Sequence, residues 1–557
     1  MPVTTGVQGY TSLTQQTRLC LETGAAPGES LLMPLTTGTA TMSLTTQPNT
    51  ISATTGMHLH FFIFGNATAG TIGIVGTNAT GGGQTSITYH VPAAPQQAQG
   101  YSEFTTKEAW GTVTASNITL TTLTPCQVMV YGSFAGKYLL PISLDKEEKI
   151  THHAPQDKRG ILFKNFRVVQ LTKSTDVAKL DSDLYPDSLW AYYMAIGNTP
   201  MITTVPAAPV SLLAATTKAA TMTLTTSLST MAPGAFLIFA IANANVATGT
   251  IVLSGTDTFG NAQSETITVP ATNGTVYSTK RYASITNSGA DKFATTGLTT
   301  GATIAVTAVF AWNYAWTFDG INNITPYSAS IEAYDGVEGV ILPGTILTDL
   351  TLDWQKEKEI LLQAKGLAQD FLVVGDPTNT SSIGSNPFPA LAQPTTLPYV
   401  SWPASFYIDA ASGTPATTQD GSMLTFKLAI TTGRKWFYPG DGFQRPTFVT
   451  WDTEPDWTLD AEIVYQNYQN YINYFKPNVA LILATTFQGN WLGTIAITNY
   501  YESVNITLPA KVDTFKVDQT TNPVKGKLKL ISQYDPTNLN YAYKVTVTAQ
   551  VPPTYTS

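Results

Sequence analysis

The sequence predicts a mainly β protein built from several compact units. Charged residues make up only 12% of the 557 residues, against about 25% in typical soluble proteins, so Thr, Ser, Asn, Gln and Gly must cover much of the surface. Thr packs well on a pleated sheet, and Gly, Asn and Pro supply turns. Segments of alternating apolar and polar residues recur between such turns. A chain of this length is expected to form about three or four domains.

Bulk properties argue against several functional classes. The net charge is −8 and the pI is about 5.2, which argues against tight binding to nucleic acid. Two cysteines, Cys20 and Cys126, cannot form a disulfide framework. The first residues lack the basic and apolar regions of a signal peptide, and the most apolar stretch, 235–247, is too short to span a membrane. The sequence therefore predicts a chain made in a cytoplasm, with no membrane partner.

The first predicted strands belong to an internal repeat. GTIGIVGT at 70–77 returns as GTIVLSGT at 249–256, and ATMSLTT at 40–46 returns as ATMTLTT at 220–226. In each copy an apolar strand precedes the Gly-Thr-Ile phrase and a polar strand follows it. Alternation with period two predicts half-buried strands of about 6 to 9 residues, and TDTFGN at 256–261 provides a hairpin turn. Each copy is therefore predicted to be a small β-sandwich.

The two copies are predicted to occupy residues 38–135 and 205–312. These ranges hold only three and seven charged side chains, respectively. This shift in composition indicates modules that are inserted into a different host. The copies resemble the immunoglobulin-like domains that decorate phage virion proteins, because each shows the same order of strand, turn and strand around its Gly-Thr phrases.

The host consists of three pieces around the copies and one uninterrupted stretch after them. Its middle piece contains a strand at FKNFRVVQL and then a short helix, whose predicted cap is Asp181 or Ser182 and whose predicted stop is Gly197. Its third piece contains two strands, TDLTLDW and EKEILLQAKG, joined by a short charged turn. The last stretch contains one helical candidate, YQNYQNYINYF, among strands at SFYID, SMLTFKLAI, TLDAEIVY, NVALILAT and LGTIAITNY.

Four host segments resemble the tail tube proteins of long-tailed bacteriophages, in the larger variety whose chain carries two tube-forming barrels. The segments are LETGAAPGESLLMPL, LYPDSLWAYYMAIGN, GVEGVILPGTILTDLTLDWQKEKEILLQAKG and the stretch from WPASFYID to YKVTVTAQV. The resemblance implies one barrel or sandwich domain assembled from 1–37, 136–204 and 313–390, with a linker at 376–400, and a second domain at 391–557. Each of these two domains is expected to contain a short α-helix.

The resemblance implies a structural protein, not an enzyme, and no cofactor. It implies the major tail tube subunit, in which three chains close a homotrimeric, pseudo-hexameric ring and the rings stack into a hollow conduit for genome ejection. Neighbouring copies would share sheet edges. The tape measure protein and viral DNA would pass through the lumen without specific binding. The immunoglobulin-like copies would lie outside, with weak contact to host surface glycans left open, and the expected location is the virion tail, assembled in the host cytoplasm.

Two sets of residues are candidates for contacts within such a tube. Lys and Arg on a lumen wall would bind DNA phosphates, so the candidate lumen residues are carboxylates in strand or turn contexts: Glu147, Glu148, Asp353, Glu357, Glu359 and Asp460. A long loop at 435–446 has a Pro-Gly-Asp-Gly turn flanked by aromatic residues, and its anchors for docking into the next ring would be Trp436, Phe437 and Phe443. The alternative is a surface loop folded onto its own barrel.

Other chemistry is weakly indicated. His58 and His60 would share one face of a strand, a spacing that can bind a metal, but no third ligand lies nearby in sequence, so ordinary strand histidines are expected and no metal site is predicted. Asp452, Glu454 and Asp456 offer carboxylates for a sugar-hydrolysing enzyme, although charges on a solvent-facing strand explain the same pattern. P-loop, Gly-x-Ser-x-Gly and His-Glu-x-x-His motifs are absent from the sequence. The alternative function is an immunoglobulin-like adhesin or virion decoration protein that binds host surface glycans.

Overall fold

A computed structural model gives the structure of the protein. It describes residues 16–22, 28–52, 55–65, 68–78, 83–91, 101–123, 125–140, 143–153, 169–197, 199–242, 249–287, 289–319, 327–334, 339–374, 388, 398–400, 403–410, 414–420, 422–438, 446, 448–465, 480–518, 520, 524–534, 539 and 541–553. Among these residues no helix is long and apolar enough to cross a membrane.

The first half of the chain alternates between host strands and sandwich strands. The first host strand is β1 (Gln16–Glu22). The first sandwich contains β2 (Ser30–Thr37), β3 (Thr41–Met42), helix α1 (Pro48–Ile51), β4 (Met57–Phe64), β5 (Gly70–Thr77), β6 (Gly83–Val91), β7 (Tyr101–Thr105), β8 (Thr112–Thr121) and β9 (Gln127–Phe134). The host continues with β10 (Tyr138–Leu140), β11 (Ser143–His153), β12 (Val169–Asp183), helix α2 (Leu189–Ile196) and β13 (Met201–Val205).

The second sandwich and the remaining host strands follow in order. The sandwich contains β14 (Val210–Thr217), β15 (Thr221–Thr223), a 3₁₀ turn (Leu228–Met231), β16 (Phe236–Ala242), β17 (Gly249–Thr256), β18 (Ala262–Val269), β19 (Gly274–Tyr277), β20 (Ser284–Ile285), β21 (Lys292–Thr296) and β22 (Thr303–Val309). The next host strands are β23 (Ala311–Phe318), β24 (Ser328–Tyr334), β25 (Gly339–Gln355), β26 (Leu361–Ala368) and β27 (Leu372–Val374). The last are β28 (Ala404–Ala410), β29 (Met423–Thr431), β30 (Arg434–Phe437), β31 (Phe448–Trp451), β32 (Asp456–Val464), β33 (Leu481–Ile495), β34 (Thr498–Asp518), β35 (Lys525–Ser532) and β36 (Tyr543–Ala549).

Most host strands form one antiparallel sheet over a single large core. The pairing runs β11-β12-β26-β25-β29-β32-β35-β34, and β34 also pairs with β33 and β36. One face buries large apolar side chains such as Trp354, Phe426 and Trp457. Because β25 pairs with β29 and β23 pairs with β36, strands after residue 391 share a sheet and a core with strands of the predicted first barrel.

Helix α2 lies inside the host core, and all eight of its residues are buried. Its sequence LWAYYMAI is apolar on every side, which is typical of a helix enclosed by protein, and it packs against β25 and β23. The predicted helix is confirmed, with its stop at Gly197, whose φ of 81° is left-handed. The predicted cap is wrong, because Asp181 and Ser182 pair with β26 as part of β12 and the helix begins after Ser188.

The two sandwiches have the same two-sheet topology. In the first, β2-β9-β4-β7 packs on β3-β8-β5-β6, and in the second β14-β22-β16-β19 packs on β15-β21-β17-β18. The repeated phrases form the equivalent strands β5 and β17. A Cβ at Gly76 would lie 2.0 Å from the carbonyl oxygen of Thr112, and one at Gly255 would lie 1.8 Å from that of Ser284. The repeated Gly-Thr pair therefore preserves a close approach between strands.

A second contact, present in both sandwiches, shows which residues of the apolar strand β4 correspond to those of β16. The Leu59 N–H donates to Thr106 Oγ1 at 2.9 Å, and the Leu237 N–H donates to Ser278 Oγ at 2.8 Å. Leu59 and Leu237 are thus equivalent positions, and both are buried in the core of their own sandwich.

Each sandwich is inserted between two paired host strands. The chain leaves the host after β1 and returns through β10, which pairs with β1, and it leaves again after β13 and returns through β23, which pairs with β13. Paired strands hold the two ends of an insert close together, so a whole domain can replace a hairpin turn. The first sandwich begins before the predicted boundary at residue 38, because β2 pairs with β9 but precedes the repeated phrase. The second sandwich lies within the predicted range 205–312.

The prediction of a mainly β fold is confirmed. The strand pair of the third host piece is confirmed as β25 and β26. LGTIAITNY is wrong as a single strand, because β33 ends at Ile495 and β34 begins at Thr498, with Ala496 at a φ of 54° in the turn. Its alternation continues through the turn, so the period carries no sign of the reversal. The helical candidate YQNYQNYINYF after Tyr465 and most of the linker 376–400 lie outside the described residues.

Candidate functional site

Strand β4 carries two histidines to the junction between the first sandwich and the host. Its sequence MHLHFFIF alternates so that Leu59 and Phe61 point into the sandwich core, and His58 and His60 point the other way. Both histidines are only 1% exposed. Buried imidazoles need polar partners, and each histidine meets a different carboxylate of the junction.

His58 belongs to a network with Glu332 and Arg18. His58 Nε2 lies 2.9 Å from Glu332 Oε1, and His58 Nδ1 lies 2.9 Å from the carbonyl oxygen of Thr106. An Arg18 nitrogen lies 3.2 Å from the other carboxylate oxygen of Glu332, and the Gly136 N–H donates to Glu332 at 2.6 Å. A carbonyl oxygen and a carboxylate oxygen both accept hydrogen bonds, so each ring nitrogen of His58 lies beside an acceptor.

Burial and pairing act in opposite directions on this Glu332 network, which consists of Arg18, His58 and Glu332. Burial alone would raise the pKa of Glu332, but the hydrogen bond from His58 and the charges of His58 and Arg18 lower it. Burial lowers the pKa of Arg18, although the Glu332 carboxylate opposes this. The Glu332 side chain is fully buried, so loss of its cations would leave an unpaired charge in the interior.

His60 lies in a separate group of carboxylates. Its Nδ1 lies 3.0 Å from Glu29 Oε1, and its Nε2 lies 3.8 Å from Glu103 Oε2. Ligand atoms of Glu29, His60 and Asp370 all lie within 4.8 Å of one another. We refer to Glu29, His60, Glu103 and Asp370 as the junction cluster. Burial alone would lower the pKa of His60, but the three carboxylates of the cluster raise it.

Four separate segments build the junction cluster. Two members lie on the paired strands β4 and β7, Glu29 precedes β2, and Asp370 lies between β26 and β27. Gly28 permits this approach, because its φ is 94° and a Cβ there would lie 2.1 Å from the side-chain oxygen of Gln369. The same oxygen accepts a hydrogen bond from the Glu29 N–H at 2.8 Å, which fixes the backbone beside the cluster.

The two groups differ in what they can do chemically. Imidazole and carboxylate groups are ligands for divalent transition metals, and the junction cluster offers one imidazole and three carboxylates. It can hold a metal ion or act as a set of ion pairs that docks the sandwich. In the Glu332 network, by contrast, Arg18 already supplies the positive charge beside the carboxylate, which disfavours a metal there.

Sequence reasoning identified the histidines but missed their partners. Glu332 and Asp370 come from host segments far along the chain, so local spacing contains no third ligand. One signal was available, because Glu332 lies in the otherwise small and apolar strand SASIEAY. A glutamate in a strand whose other residues predict burial usually has a partner for its charge.

The predicted docking loop, residues 435–446, begins on β30 and ends just before β31, the strand that pairs with β30. Trp436 is 5% exposed, and its Nε1 donates to the carbonyl oxygen of Leu367 at 3.3 Å, so it anchors the hairpin to its own chain. Phe437 is 43% exposed and stacks on Phe448, with 4.6 Å between ring centroids. Phe443 lies outside the described residues. The position of Trp436 agrees with the alternative, a loop that folds onto its own chain. Phe437 is an exposed apolar side chain that is available for contact with another molecule.

Two of the candidate lumen carboxylates share one exposed sheet face. A row of four charged residues crosses neighbouring strands of the sheet. Its members, each opposite the next, are Asp353 on β25, Lys427 on β29, Asp460 on β32 and Lys529 on β35. Directly opposed residues project from the same face of a sheet. The face is therefore of mixed sign, and Asp460 has a lysine on each side.

The other four candidate lumen carboxylates lie at the margins of the sheet. Glu357 and Glu359 are exposed in the turn between β25 and β26, and Glu147 is exposed on β11. Glu148 follows on the same strand, with a side chain outside the described residues. The structure therefore brings Asp353 and Asp460 onto one sheet face and leaves the other four apart from them.

The carboxylates considered for sugar hydrolysis have separate partners. Asp452 forms an ion pair with Lys435 of the hairpin β30–β31, and Asp456 accepts a hydrogen bond from Ser532 of β35. Glu454 is exposed between them. These contacts join strands and hairpins of the same domain.

Comparison with known proteins identifies no family for the chain. No family model and no curated protein sequence matches it. Among solved structures, the crystal structure of the PBSX exported protein XepA is 10% identical over 52% of this chain and 86% of that chain, with a TM-score of 0.10. Structures of the Gx and Gt strains of infectious bursal disease virus are 10% identical, with TM-scores of 0.08, over 65% and 67% of this chain and 81% and 84% of theirs. TM-scores this low carry no argument about fold or function.

Proposed function

We propose that the protein is a structural virion subunit, the major tail tube subunit of a long-tailed bacteriophage, which self-assembles into stacked rings around a conduit for DNA. The resemblance of its host segments suggests this role, and its two sandwiches would lie outside the tube. The observation that carries the proposal is the open edge of β11.

Strand β11 lies at an edge of the described host sheet. It pairs with β12 over residues 143–153, and among the described residues its other side has no partner strand. An edge strand of a sheet can add a strand from a second chain. The edge contains KEEK at 146–149, and charges of this kind suppress pairing with arbitrary partners. A copy of the same chain with a complementary edge would pair with it.

The hairpin of β11 and β12 also extends beyond the sheet. Strand β12 pairs with β26 only from Thr175 to Asp183, and residues 169–174 pair, within the described part of the chain, with β11 alone. A two-stranded ribbon by itself is marginally stable in water. Contact with a neighbouring copy would stabilise the ribbon, which favours an assembly over a monomer.

An exposed aromatic pair offers a second contact surface. Phe437 and Phe448 are 43% and 47% exposed on the same face of the hairpin β30–β31. Burial of aromatic side chains is a main source of binding energy at protein interfaces. The pair therefore supports docking between rings, which is the role predicted for Phe437.

The mixed charge of the exposed host face fits a passage for DNA. Carboxylates at Asp353 and Asp460 alternate with Lys427 and Lys529. A strongly basic face would bind phosphates and hold the genome, whereas a balanced face adds little salt-dependent affinity. We assign this face to the lumen as part of the proposal.

Electron microscopy and sedimentation of the full chain test the proposal. Negative staining is expected to show rings or tubes with a central hole, and analytical ultracentrifugation should show growth with protein concentration. A monomer over a wide range of concentration and salt would overturn the proposal. Specific glycan binding by such a monomer would favour the adhesin or decoration alternative.

Two proline variants test the edge itself. Successive residues of a regular antiparallel strand point their N–H groups to opposite sides, and residues 147 and 148 lie in a regular part of the β11 register. Proline removes the N–H, so one of the variants Glu147→Pro and Glu148→Pro removes a donor facing β12 and the other removes an outward donor. The outward variant should stay folded and lose its rings. Normal assembly of both variants would exclude β11 as the joining edge.

A further inference from the structure

We infer that three members of the junction cluster, Glu29, His60 and Asp370, form a binding site for one divalent transition-metal ion, Zn²⁺ in the first instance, which clamps the first sandwich to the host. The inference concerns a site within one chain and does not depend on the proposed tube.

The spacing of the donor atoms suits an inner coordination sphere. Donors at about 2.1 Å from a tetrahedral ion lie about 3.4 Å apart. His60 Nδ1 lies 3.0 Å from Glu29 Oε1, and one ligand atom from each of Glu29, His60 and Asp370 lies within 4.8 Å of the other two. Glu103 faces the other ring nitrogen of His60, so it is not one of these donors. Side-chain movements of less than about 1 Å would bring these donors to bonding distance of one ion.

Burial and charge favour a cation at this position. The His60 side chain is 1% exposed and the Glu29 side chain is fully buried, and Asp370 is 5% exposed. A divalent ion held by His60, Glu29 and Asp370 would add positive charge beside two carboxylates in the interior, which favours their ionised form. His60 would bind the ion through Nδ1, while Nε2 faces Glu103 Oε2 at 3.8 Å. A carboxylate in this outer position orients a metal-bound imidazole.

The surroundings of the cluster hold its ligands in place. The Glu29 backbone is fixed by Gln369, whose amide nitrogen in turn donates to the carbonyl oxygen of Pro446 at 3.0 Å. The Phe371 N–H donates to Asp370 Oδ1 at 2.8 Å. Such outer contacts orient metal ligands in known sites. The Glu103 side chain is 47% exposed, so an ion has a path of entry from solvent.

The second sandwich indicates that docking itself does not require these charges. Its residue equivalent to His60 is Ile238, and its residue equivalent to Glu103 is Thr275, by the matching registers of β4 with β7 and of β16 with β19. The ionic set is therefore particular to the first junction. One imidazole with carboxylates suits Zn²⁺ better than Mg²⁺ or Ca²⁺, which prefer oxygen ligands alone.

Metal content and calorimetry of the full chain test the inference. The protein is stripped with a chelator, loaded with Zn²⁺ and freed of excess ion, and zinc is then counted by mass spectrometry and its affinity measured by titration calorimetry. We expect one Zn²⁺ per chain and a higher melting temperature of the loaded protein. His60→Gln should weaken binding by at least about tenfold, and the control His90→Gln, on β6 of the same sandwich, should bind as wild type.

A second variant keeps the test decisive if His60→Gln fails to fold. Asp370→Asn preserves shape and removes one ligand charge, and it should also weaken zinc binding by at least about tenfold. Absence of stoichiometric zinc in the wild type would overturn the inference. Equal binding by the wild type and both ligand variants would overturn it as well. Measurements on monomeric and assembled fractions separate this result from that of the ring experiment.

Discussion

The two sandwiches have the same internal contacts but dock on the host through different chemistry. By the register that the two leucines set, His58 and His60 on β4 correspond to Phe236 and Ile238 on β16. Phe236 packs on Trp312 of the host, with 5.0 Å between ring centroids, whereas His58 joins the buried Glu332 network. At these equivalent positions one sandwich contacts the host through apolar surface and the other through charge.

The difference shows which part of a strand pattern the fold constrains. Inward positions of β4 and β16 are apolar in both copies, because each sandwich needs its own core. The outward positions 58 and 60 of β4 and 236 and 238 of β16 meet the host, and they differ with the host surface that they meet. Apolar docking depends little on pH, whereas ionic docking requires that each partner is present and charged.

The largest expected loss of stability at either junction comes from Glu332→Gln. The variant leaves Arg18 and His58 buried without their counter-charge, which typically costs about 3 to 5 kcal/mol. Hydrogen exchange at rising urea concentration should show early loss of protection in β4 and normal protection in β16. The control Glu462→Gln removes a partly exposed carboxylate that pairs with two lysines and should cost less than about 1 kcal/mol. Equal losses for the two variants would contradict the importance of the buried network.

Arg281→Ala should weaken the second junction by a smaller amount. Arg281 belongs to the second sandwich, donates to the Gln550 side chain of the host at 3.1 Å and to the carbonyl oxygen of Leu492, and lies over the Phe310 ring. Its removal leaves acceptors without a donor, at a cost of about 1 to 3 kcal/mol. Protection of β16 should fall while that of β4 stays, and Arg281→Lys should be intermediate because it keeps the charge without the planar fork. Unchanged β16 protection would show that the apolar contacts alone hold this junction.

Acid should distinguish the two junctions. The folded pKa of Glu332 is lowered from 4.5, so its contribution to stability is present above about pH 4.5 and is lost as the pH falls through the folded pKa. Burial raises the folded pKa of Glu502, which accepts from Gln550 at 2.8 Å beside the second junction, so its contribution is present at low pH and is lost as the pH rises. Acidification should therefore weaken β4 docking and spare β16 docking, by about 1.4 kcal/mol for each unit of pKa shift. Hydrogen exchange corrected for its intrinsic pH dependence measures this, and a parallel loss at both junctions would refute it.

Local patterns predicted much of both sandwiches and of the host strands. The repeated Gly-Thr phrases mark the equivalent strands β5 and β17, and Gly76 and Gly255 lie where a side chain would collide with a neighbouring strand. Gly197 ends the buried helix as predicted. These features depend on the backbone conformation and the alternation of a few consecutive residues, and both can be read from the residues themselves.

The junction could not be predicted in the same way. The spacing of His58 and His60 puts them on one face, but Glu332 and Asp370 reach that face through the pairing of host strands distant in sequence. The same limit applies to the pairing of β25 with β29, which joins the two predicted barrels into one sheet. Side chains brought together by tertiary structure leave no periodic signal, and only an acidic residue inside an apolar strand hints at them.

The effects of changes within the Glu332 network should not add when the whole network becomes apolar. The combined variant Arg18→Met, His58→Phe and Glu332→Leu places at position 58 the residue type of Phe236 in the second sandwich. Replacing a buried ionic group by apolar residues of similar volume is often neutral or stabilising by about 1 to 4 kcal/mol. Against this, the Gly136 N–H and carbonyl and the Thr106 carbonyl lose the partners that Glu332, Arg18 and His58 provide, at a cost of about 1 to 3 kcal/mol for each group.

The gain offsets part of this cost, so urea unfolding of the triple variant should show a smaller loss of stability than the sum of its three single changes. Residues in one buried network are not additive, because each single change leaves the other members without their partners. The acid sensitivity of β4 protection should disappear with the carboxylate. If the triple variant instead loses the sum of its single changes, the charges are needed for the docking geometry, and an apolar face cannot replace an ionic one at the first junction.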